Sequence, residues 1–121
     1  MAKVLIVDDS PTEIHILRGM LEKHGFDCIE AESGELGIEK ARSEQPDVIL
    51  MDIVMPGLNG FQTTRQLTRD EATKHIPIII VSTKSQETDK VWAMRQGAKD
   101  YLVKPVKEPA LLERVNSILE G

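Results

Sequence analysis

A single cysteine, Cys28, among 121 residues leaves no internal disulfide to tie the chain together, and no Cys and His spacing matches a zinc site. The fold must therefore rest on its core, in a chain suited to a reducing cytoplasm. Long apolar runs are also missing. Nothing approaches the ~20 apolar residues of a membrane span, and the four apolar residues before Asp8 fall far short of a signal-peptide core. Neither export nor membrane insertion is expected. Positive charge is in the minority, with 15 Lys and Arg against 20 Asp and Glu for a net charge of −5, the wrong sign for a protein whose main partner is a polyanion. Nucleic acid is accordingly not an expected partner. Repeats, linkers and low-complexity tracts are lacking too, so the length fits one domain that buries roughly two thirds of its unfolded surface.

What is present is an alternation of short apolar runs with segments of helical period, the mark of an α/β protein whose parallel sheet is covered on both faces. The runs Val4–Val7, Val48–Met51, Ile76–Val81 and Tyr101–Val103 predict strands, and the shorter, more polar Asp27–Ala31 predicts an edge strand. Ser10-Pro11-Thr12-Glu13 predicts a helix start after Asp9, with Ser10 as cap, Pro11 in the first turn and Glu13 closing a capping box. Ile14, Leu17 and Leu21 are spaced to face a core, and Gly25 is a stop signal. Further helices are predicted over Gly34–Ser43, Gly60–Arg69 and Gln86–Gln96. A last one carries Leu111, Leu112, Val115, Ile118 and Leu119 on one stripe and ends at Gly121. With this helix reaching the last residue, a second, DNA-binding domain is not expected.

In an open parallel sheet, ligands sit at the carboxyl ends of the strands, where the strand order reverses. The predicted strands end in Asp8-Asp9, Asp52, Ser82-Thr83 and Lys104, which places three carboxylates, a hydroxyl and an ammonium on one rim. Two carboxylates ~4 Å apart repel by about 4 kcal/mol at an effective dielectric of 20, so the cluster needs cations. Lys104 can neutralise one acid and a divalent ion, Mg2+ or Mn2+, the rest. A metal and a lysine beside a free carboxylate favour phosphoryl transfer, because they offset charge on the phosphate oxygens while the carboxylate attacks phosphorus.

Four segments, Val4–Ser10, Asp47–Gly60, Pro77–Ser82 and Gly97–Pro105, resemble in this order the receiver domains of bacterial response regulators, and the likeness covers essentially the whole chain. It implies a (βα)5 flavodoxin-like, doubly wound sheet of strand order 2-1-3-4-5, and a single receiver domain over residues 1–121 without an effector domain. By position, Asp52 corresponds to the phosphoacceptor, charged by a histidine kinase of the CheA-like kind. Asp9, Asp52 and the backbone carbonyl of Val54 correspond to metal ligands, with Asp8 reaching the metal less directly. Ser82 corresponds to the switch hydroxyl, Lys104 to the lysine that contacts a phosphoryl oxygen, and Tyr101 to an aromatic that moves inward when the switch is on. The Lys104-Pro105 bond is expected to be cis. The face formed by the fourth helix, fifth strand and fifth helix is the expected docking surface for a downstream protein. The chain is expected to be a cytoplasmic monomer that catalyses only its own phosphorylation and dephosphorylation.

Within the family, Asp8–Glu13, Met55–Gln62 and Gln86–Trp92 resemble the single-domain regulators of type IV pilus twitching motility, while chemotaxis regulators share the same architecture. Thr83, where Ala or Gly is usual, and Val106, where Phe is frequent, depart from the family pattern. Two alternatives stand beside an output regulator. One is a phosphate sink for a shared kinase. The other is a magnesium-dependent phosphatase with an aspartate nucleophile, which needs an acid two residues on, where this chain has Val54. Each site residue also has a plainer reading in isolation: Asp8-Asp9 as a helix-capping strand end, Ser82 as a strand-end hydroxyl, Lys104 as surface charge, Tyr101 as core packing. Their convergence at matching strand ends argues against those readings, least so for Tyr101. The Gly57–Gly60 stretch reads as a turn before a helix, since basic and aromatic neighbours are lacking. His15, His24 and His75 have no spaced partners and read as surface or loop residues. Trp92 is open between output surface and helix packing, Met94 leans to packing, and Cys28 reads as half-buried in a strand.

Overall fold

The computed structural model describes residues 2–121. Five strands alternate with five helices: β1 (Lys3–Val7), α1 (Pro11–Glu22), β2 (Asp27–Ala31), α2 (Gly34–Glu44), β3 (Val48–Met51), α3 (Gly60–Arg69), β4 (Ile78–Ser82), α4 (Glu87–Arg95), β5 (Asp100–Val103) and α5 (Glu108–Glu120). The strands form one parallel sheet in the order β2-β1-β3-β4-β5, the flavodoxin-like topology that the family resemblance implied. The polar β2 is indeed an edge, and the order reverses between β1 and β3.

Side chains alternate across each strand, so every strand supplies both faces of the sheet. Leu5, Val7, Ile49, Met51, Ile78 and Ile80 point to one side, where Ala41, Leu67 and Ala93 cover them from α2, α3 and α4. Val4, Ile6, Val48, Leu50, Ile79 and Val81 point to the other, against Ile14, Leu17 and Leu21 of α1 and Leu111 and Val115 of α5. Full burial stabilises by about 1.5–3 kcal/mol for each large aliphatic side chain, which is why the central strands are apolar between their first and last positions.

Several boundaries differ from the sequence reading. β4 begins at Ile78 rather than Ile76, because Pro77 has no amide to place in a ladder, although Ile76 is buried against the core. α4 spans Glu87–Arg95, with Gln86 and Gln96 as its caps. Ser10 Oγ accepts a hydrogen bond from the Glu13 amide at 3.3 Å, but the returning half of the expected capping box is not formed. The box appears instead at α3, where Asn59 and Gln62 exchange hydrogen bonds of 2.9 Å. Leu119 is exposed and Cys28 is fully buried. Met94, expected as packing, is exposed together with Val91 and Trp92, because Ala93 is the α4 residue that faces the core.

Gly60, the first residue of α3, is fixed by contact. A methyl group there would stand 2.0 Å from the Asp52 carbonyl oxygen and 2.7 Å from the Ile53 Cα, both backbone atoms unable to move aside. Gly19, on the exposed side of α1, has nothing within 4 Å of such a methyl. The two positions should therefore respond oppositely to alanine in urea unfolding. Gly60→Ala is expected to destabilise by about 2 kcal/mol or more, and Gly19→Ala to stabilise by about 0.5–1 kcal/mol.

Candidate functional site

Strand ends bring the predicted residues together. Asp8 and Asp9 follow β1, Asp52 follows β3, Ser82 closes β4 and Lys104 follows β5. Three of them continue the ladder one residue past the strands: the amides of Asp8, Asp52 and Lys104 donate to the carbonyls of Ala31, Val7 and Ser82 at 3.1, 2.9 and 2.9 Å. The side chains thus start from backbone as well fixed as the sheet.

Lys104 Nζ donates to Asp8 Oδ2 at 2.8 Å and lies 3.7 Å from Asp52 Oδ1, with all three side chains largely buried. Asp8 Oδ1 accepts from the Ser10 amide at 2.9 Å, so both Asp8 oxygens are engaged. Asp9 points outward into solvent, as the alternation of side chains at a strand end requires. Even so, Asp8, Asp9 and Asp52 can each present a carboxylate oxygen within 4.8 Å of the other two. Three carboxylates against one ammonium leave a net charge of −2. Hard oxygen donors at this spacing, partly open to water, suit a divalent cation such as Mg2+ or Mn2+ that keeps several waters. The Val54 side chain is 61% exposed on the same rim, at the second position after Asp52.

The charge balance acts on protonation. Burial and then the Asp8 charge push the Asp52 carboxyl up to about 6, against the opposing pull of Lys104 and a hydrogen bond from the Ile53 amide. For Lys104, burial favours the neutral amine, but the hydrogen bond to Asp8 and the charges of Asp52, Asp8 and Glu13 outweigh it and hold the ammonium above its ordinary value. The site therefore contains one firmly charged cation and one carboxylate that is uncomfortable as an anion.

Ser82 and Tyr101 meet through one backbone unit. Ser82 Oγ, fully buried, accepts from the Lys84 amide at 3.2 Å, and the Tyr101 hydroxyl donates to the Lys84 carbonyl at 2.7 Å. Tyr101 is already inside the protein, packed with the α2, α3 and α4 side of the core. Burial and the Asp89 charge raise its phenol, with a hydrogen bond to Ser82 acting against them. Lys104-Pro105 is cis, as expected. Thr83 is exposed, while Val106 is half-buried and packs with the α1 and α5 side. His15, His24 and His75 lie on the surface, away from the acids, and His24 contacts Glu108.

Three contributors escaped the sequence reading. Glu13 was assigned to a cap but reaches Lys104 by its charge. Gly60 was read as turn chemistry but stands against the Asp52 carbonyl. Lys84 joins Ser82 to Tyr101 through its backbone, and backbone contacts leave no mark on residue type.

The response regulator receiver domain profile matches residues 4–116. The chain is 64% identical to the protein PilH of Pseudomonas aeruginosa over 121 residues, covering 100% of both chains. It is 34% identical over 116 residues to the polar-differentiation response regulator DivK of Brucella ovis, covering 96% of this chain and 94% of that one. The solved structure of the chemotaxis response regulator CheY4 of Vibrio cholerae superposes with a TM-score of 0.90 at 30% identity, covering 98% of each chain.

The strained carboxylate predicts how stability depends on pH. A carboxyl whose folded value, about 6, exceeds its ordinary value of 3.8 contributes stability that is fully present below pH 4 and is lost as pH rises through 6. Two pH units, already net of the attraction to Lys104, correspond to about 3 kcal/mol, of which solvent screening leaves about 1–2 kcal/mol to be gained in an Asp52→Asn variant. In chelator at pH 7.5, Asp52→Asn should therefore melt at a higher temperature than the wild type, with the two converging below pH 4. Millimolar Mg2+ should raise the wild-type Tm and leave that of Asp52→Asn nearly unchanged.

Proposed function

The chain belongs to the response regulator receiver domain family, and from that premise we propose that it is a single-domain phosphorylation switch of a two-component relay, charged at Asp52 by a CheA-like histidine kinase and acting in type IV pilus twitching motility or chemotaxis. The observation that carries this reading is the arrangement of Asp52, half neutralised by Lys104 at 3.7 Å and flanked by Asp8 and Asp9, with Ser82 on the adjoining strand end. Support for the motility assignment comes from the 64% identity to PilH along the full length of both chains.

In the proposed reaction an Asp52 carboxylate oxygen attacks the phosphorus of a phosphohistidine. The O–P bond forms as the N–P bond breaks, and the imidazole leaves. Asp9, Asp52 and the Val54 carbonyl would hold the divalent ion, with Asp8 supporting it less directly, and when bound that ion offsets charge on the phosphoryl oxygens. Lys104 is already poised between Asp8 and Asp52, so its ammonium can shift onto a phosphoryl oxygen without crossing solvent. Deprotonated Asp52 is the nucleophilic form, and since its pKa is raised to about 6 even with Lys104 beside it, a bound cation would favour that form further. The same groups would assist attack by water on the acyl phosphate, so the protein catalyses its own charging and discharge and turns over no external substrate. A magnesium-dependent phosphatase is disfavoured, since Val54 supplies no second acid two residues after Asp52.

Readout would begin at Ser82. A phosphoryl group adds about −1.5 to −2 charges and three acceptor oxygens, which draw the Ser82 hydroxyl toward Asp52. Ser82 would then release the Lys84 amide, and Lys84 also holds the Tyr101 hydroxyl. Because Tyr101 is already buried, the response would appear as displacement of residues 83–86 and α4 rather than as entry of the ring. Converting a 1:99 population to 99:1 takes about 5.5 kcal/mol, within reach of several new charge-assisted hydrogen bonds. The downstream protein would dock on the face of α4, β5 and α5.

Incubation with Mg2+ and a small phosphodonor should add one acid-stable, base-labile phosphoryl group to the wild type and none to Asp52→Asn. NMR signals of Lys84, Tyr101 and Trp92 should shift on phosphorylation, and Ser82→Ala should keep the phosphoryl group but lose most of those shifts. Incorporation that survives loss of Asp52 would refute the assignment. Phosphorylation without any gain in binding to a downstream protein would identify a phosphate sink.

A further inference from the structure

Positive charge is the minority in this chain, yet one groove concentrates it. α3 is the only helix of the five without an acid, although Asp and Glu together number 20 in the sequence. Where α3 packs beside α2, the two helices leave between them a surface groove of about 520 Å³. Each helix starts where a strand ends, so their first residues lie toward the rim of Asp8 and Asp52 and their last residues at the far end of the molecule. The end near the rim is bordered by Ile38 and Leu58, and the far end by Arg42, Arg65 and Arg69. Arg42 is already engaged, since its Nε donates to Asp70 at 2.7 Å. Arg65 and Arg69 are exposed, one helical turn apart, and form no ion pair among the described residues. Three guanidinium groups against the single carboxylate of Asp70 leave the groove with two positive charges in excess, in a chain whose net charge is −5.

We propose that the groove between α2 and α3 is a docking site for an acidic, amphipathic helix of a partner protein, lying antiparallel to α3. Ile38 and Arg42 on one wall, and Arg65 and Arg69 on the other, repeat at intervals of four residues, about 6 Å along each helix. A third helix laid between them presents side chains at the same repeat. Carboxylates four residues apart on the occupant meet Arg69 and then Arg65, each of which can grip a carboxylate through two parallel hydrogen bonds. An aliphatic side chain four residues further on seats between Ile38 and Leu58, where Glu35 is turned to the Leu58 amide at 3.4 Å and leaves the apolar end to its neighbours. The dipoles fix the direction. In the antiparallel arrangement the acids fall in the first turn of the occupant, where they stabilise its helix, and its positive pole lies beside the negative pole of α3. The reverse arrangement would set those acids at the negative pole of their own helix. Elsewhere the excess of acids in the chain repels such a partner, so charge also fixes where it can land.

Size sets the strength. From Gly60 to Arg69 the groove wall is about 13 Å long, too short to approach the ~800 Å² per partner of standard stable interfaces. An isolated helix therefore binds weakly, with half-saturation on the order of 0.1–1 mM, and less tightly as salt screens the arginines. The site goes beyond the switch proposed above. It uses none of the strand-end acids, it lies apart from the face of α4, β5 and α5, and it stands whether or not Asp52 accepts phosphoryl groups. A partner held there keeps the protein at hand while leaving Asp52 open to charging and the output face open to a target.

The probe is a synthetic helical peptide of ~16 residues with Glu, Glu and Leu at successive four-residue intervals in an alanine and glutamine background. Titrated into the intact, unphosphorylated protein, it should shift the NMR amide signals of Ile38, Arg42, Leu58, Arg65 and Gln66 saturably. The same peptide with Lys in place of both Glu should leave those signals where they are. Arg65→Glu and Arg69→Glu should each weaken binding at least tenfold with the far-UV spectrum unchanged, since neither side chain has a partner within the fold. Lys99→Glu makes the same change of charge at an exposed site away from the groove and should bind as the wild type does. Phosphoryl incorporation measured on the same samples keeps the two assignments apart, because either can fail alone. No saturable shift, equal shifts with the Lys peptide, or indifference to both arginine reversals would each overturn the proposal. Arginine-dependent sedimentation with phosphatidylglycerol vesicles in place of peptide binding would overturn it too, and assign the groove to an anionic membrane surface.

Discussion

One ammonium group holds the working end of this protein together. Lys104 reaches Asp8 at 2.8 Å and stands 3.7 Å from Asp52, and so joins the end of β5 to the ends of β1 and β3 across 96 residues of sequence. Without that cation three carboxylates would crowd one rim, and the repulsion would push the strand ends apart or protonate the acids. With it, the acids remain close but incompletely neutralised. That residual imbalance is the property a metal-dependent phosphoryl acceptor needs, because incoming positive charge is stabilised more than it would be in a satisfied site. A buried pair of this kind adds little net stability over an apolar core, so its presence is better explained by what it does to Asp52.

Much of this was legible in the sequence, for reasons that differ by element. The strands of the sheet interior announced themselves as unbroken apolar runs, because both of their faces are covered. Strand ends were identifiable as the places where those runs stop in Asp, Ser or Lys, and a parallel sheet collects such ends on one side. Boundaries set by caps were read less well. Ile76 looked like strand because it is apolar and buried, yet Pro77 delays the ladder to Ile78. On α4, Met94 leaned to packing and Trp92 stood open between surface and packing, but Ala93 takes the inward position and leaves both outside together with Val91. Small residues carry little hydrophobic signal, so a helix that packs through alanine is easily rotated in the mind.

The connections made through backbone atoms were beyond reach. Nothing in the identity of Lys84 reveals that its amide and carbonyl are divided between Ser82 and Tyr101. Likewise the ladder bonds from the amides of Asp8, Asp52 and Lys104 depend on register, which becomes visible only once the strands are aligned. These contacts decide which parts of the site are stiff and which can yield. The acids and the lysine extend the sheet, whereas Ser82 holds the following loop by a single hydroxyl.

That contrast gives Gly60 a mechanical meaning. The start of α3 presses on the carbonyl of Asp52 so closely that not even a methyl group fits between them, and the reciprocal Asn59 and Gln62 bonds keep that helix end from backing away. Asp52 thus sits against an anvil. Any force generated at its carboxylate finds no give toward β3 or α3 and is transmitted sideways into β4 and the loop beyond it. Direction is supplied by the immovable side of the site as much as by the movable one.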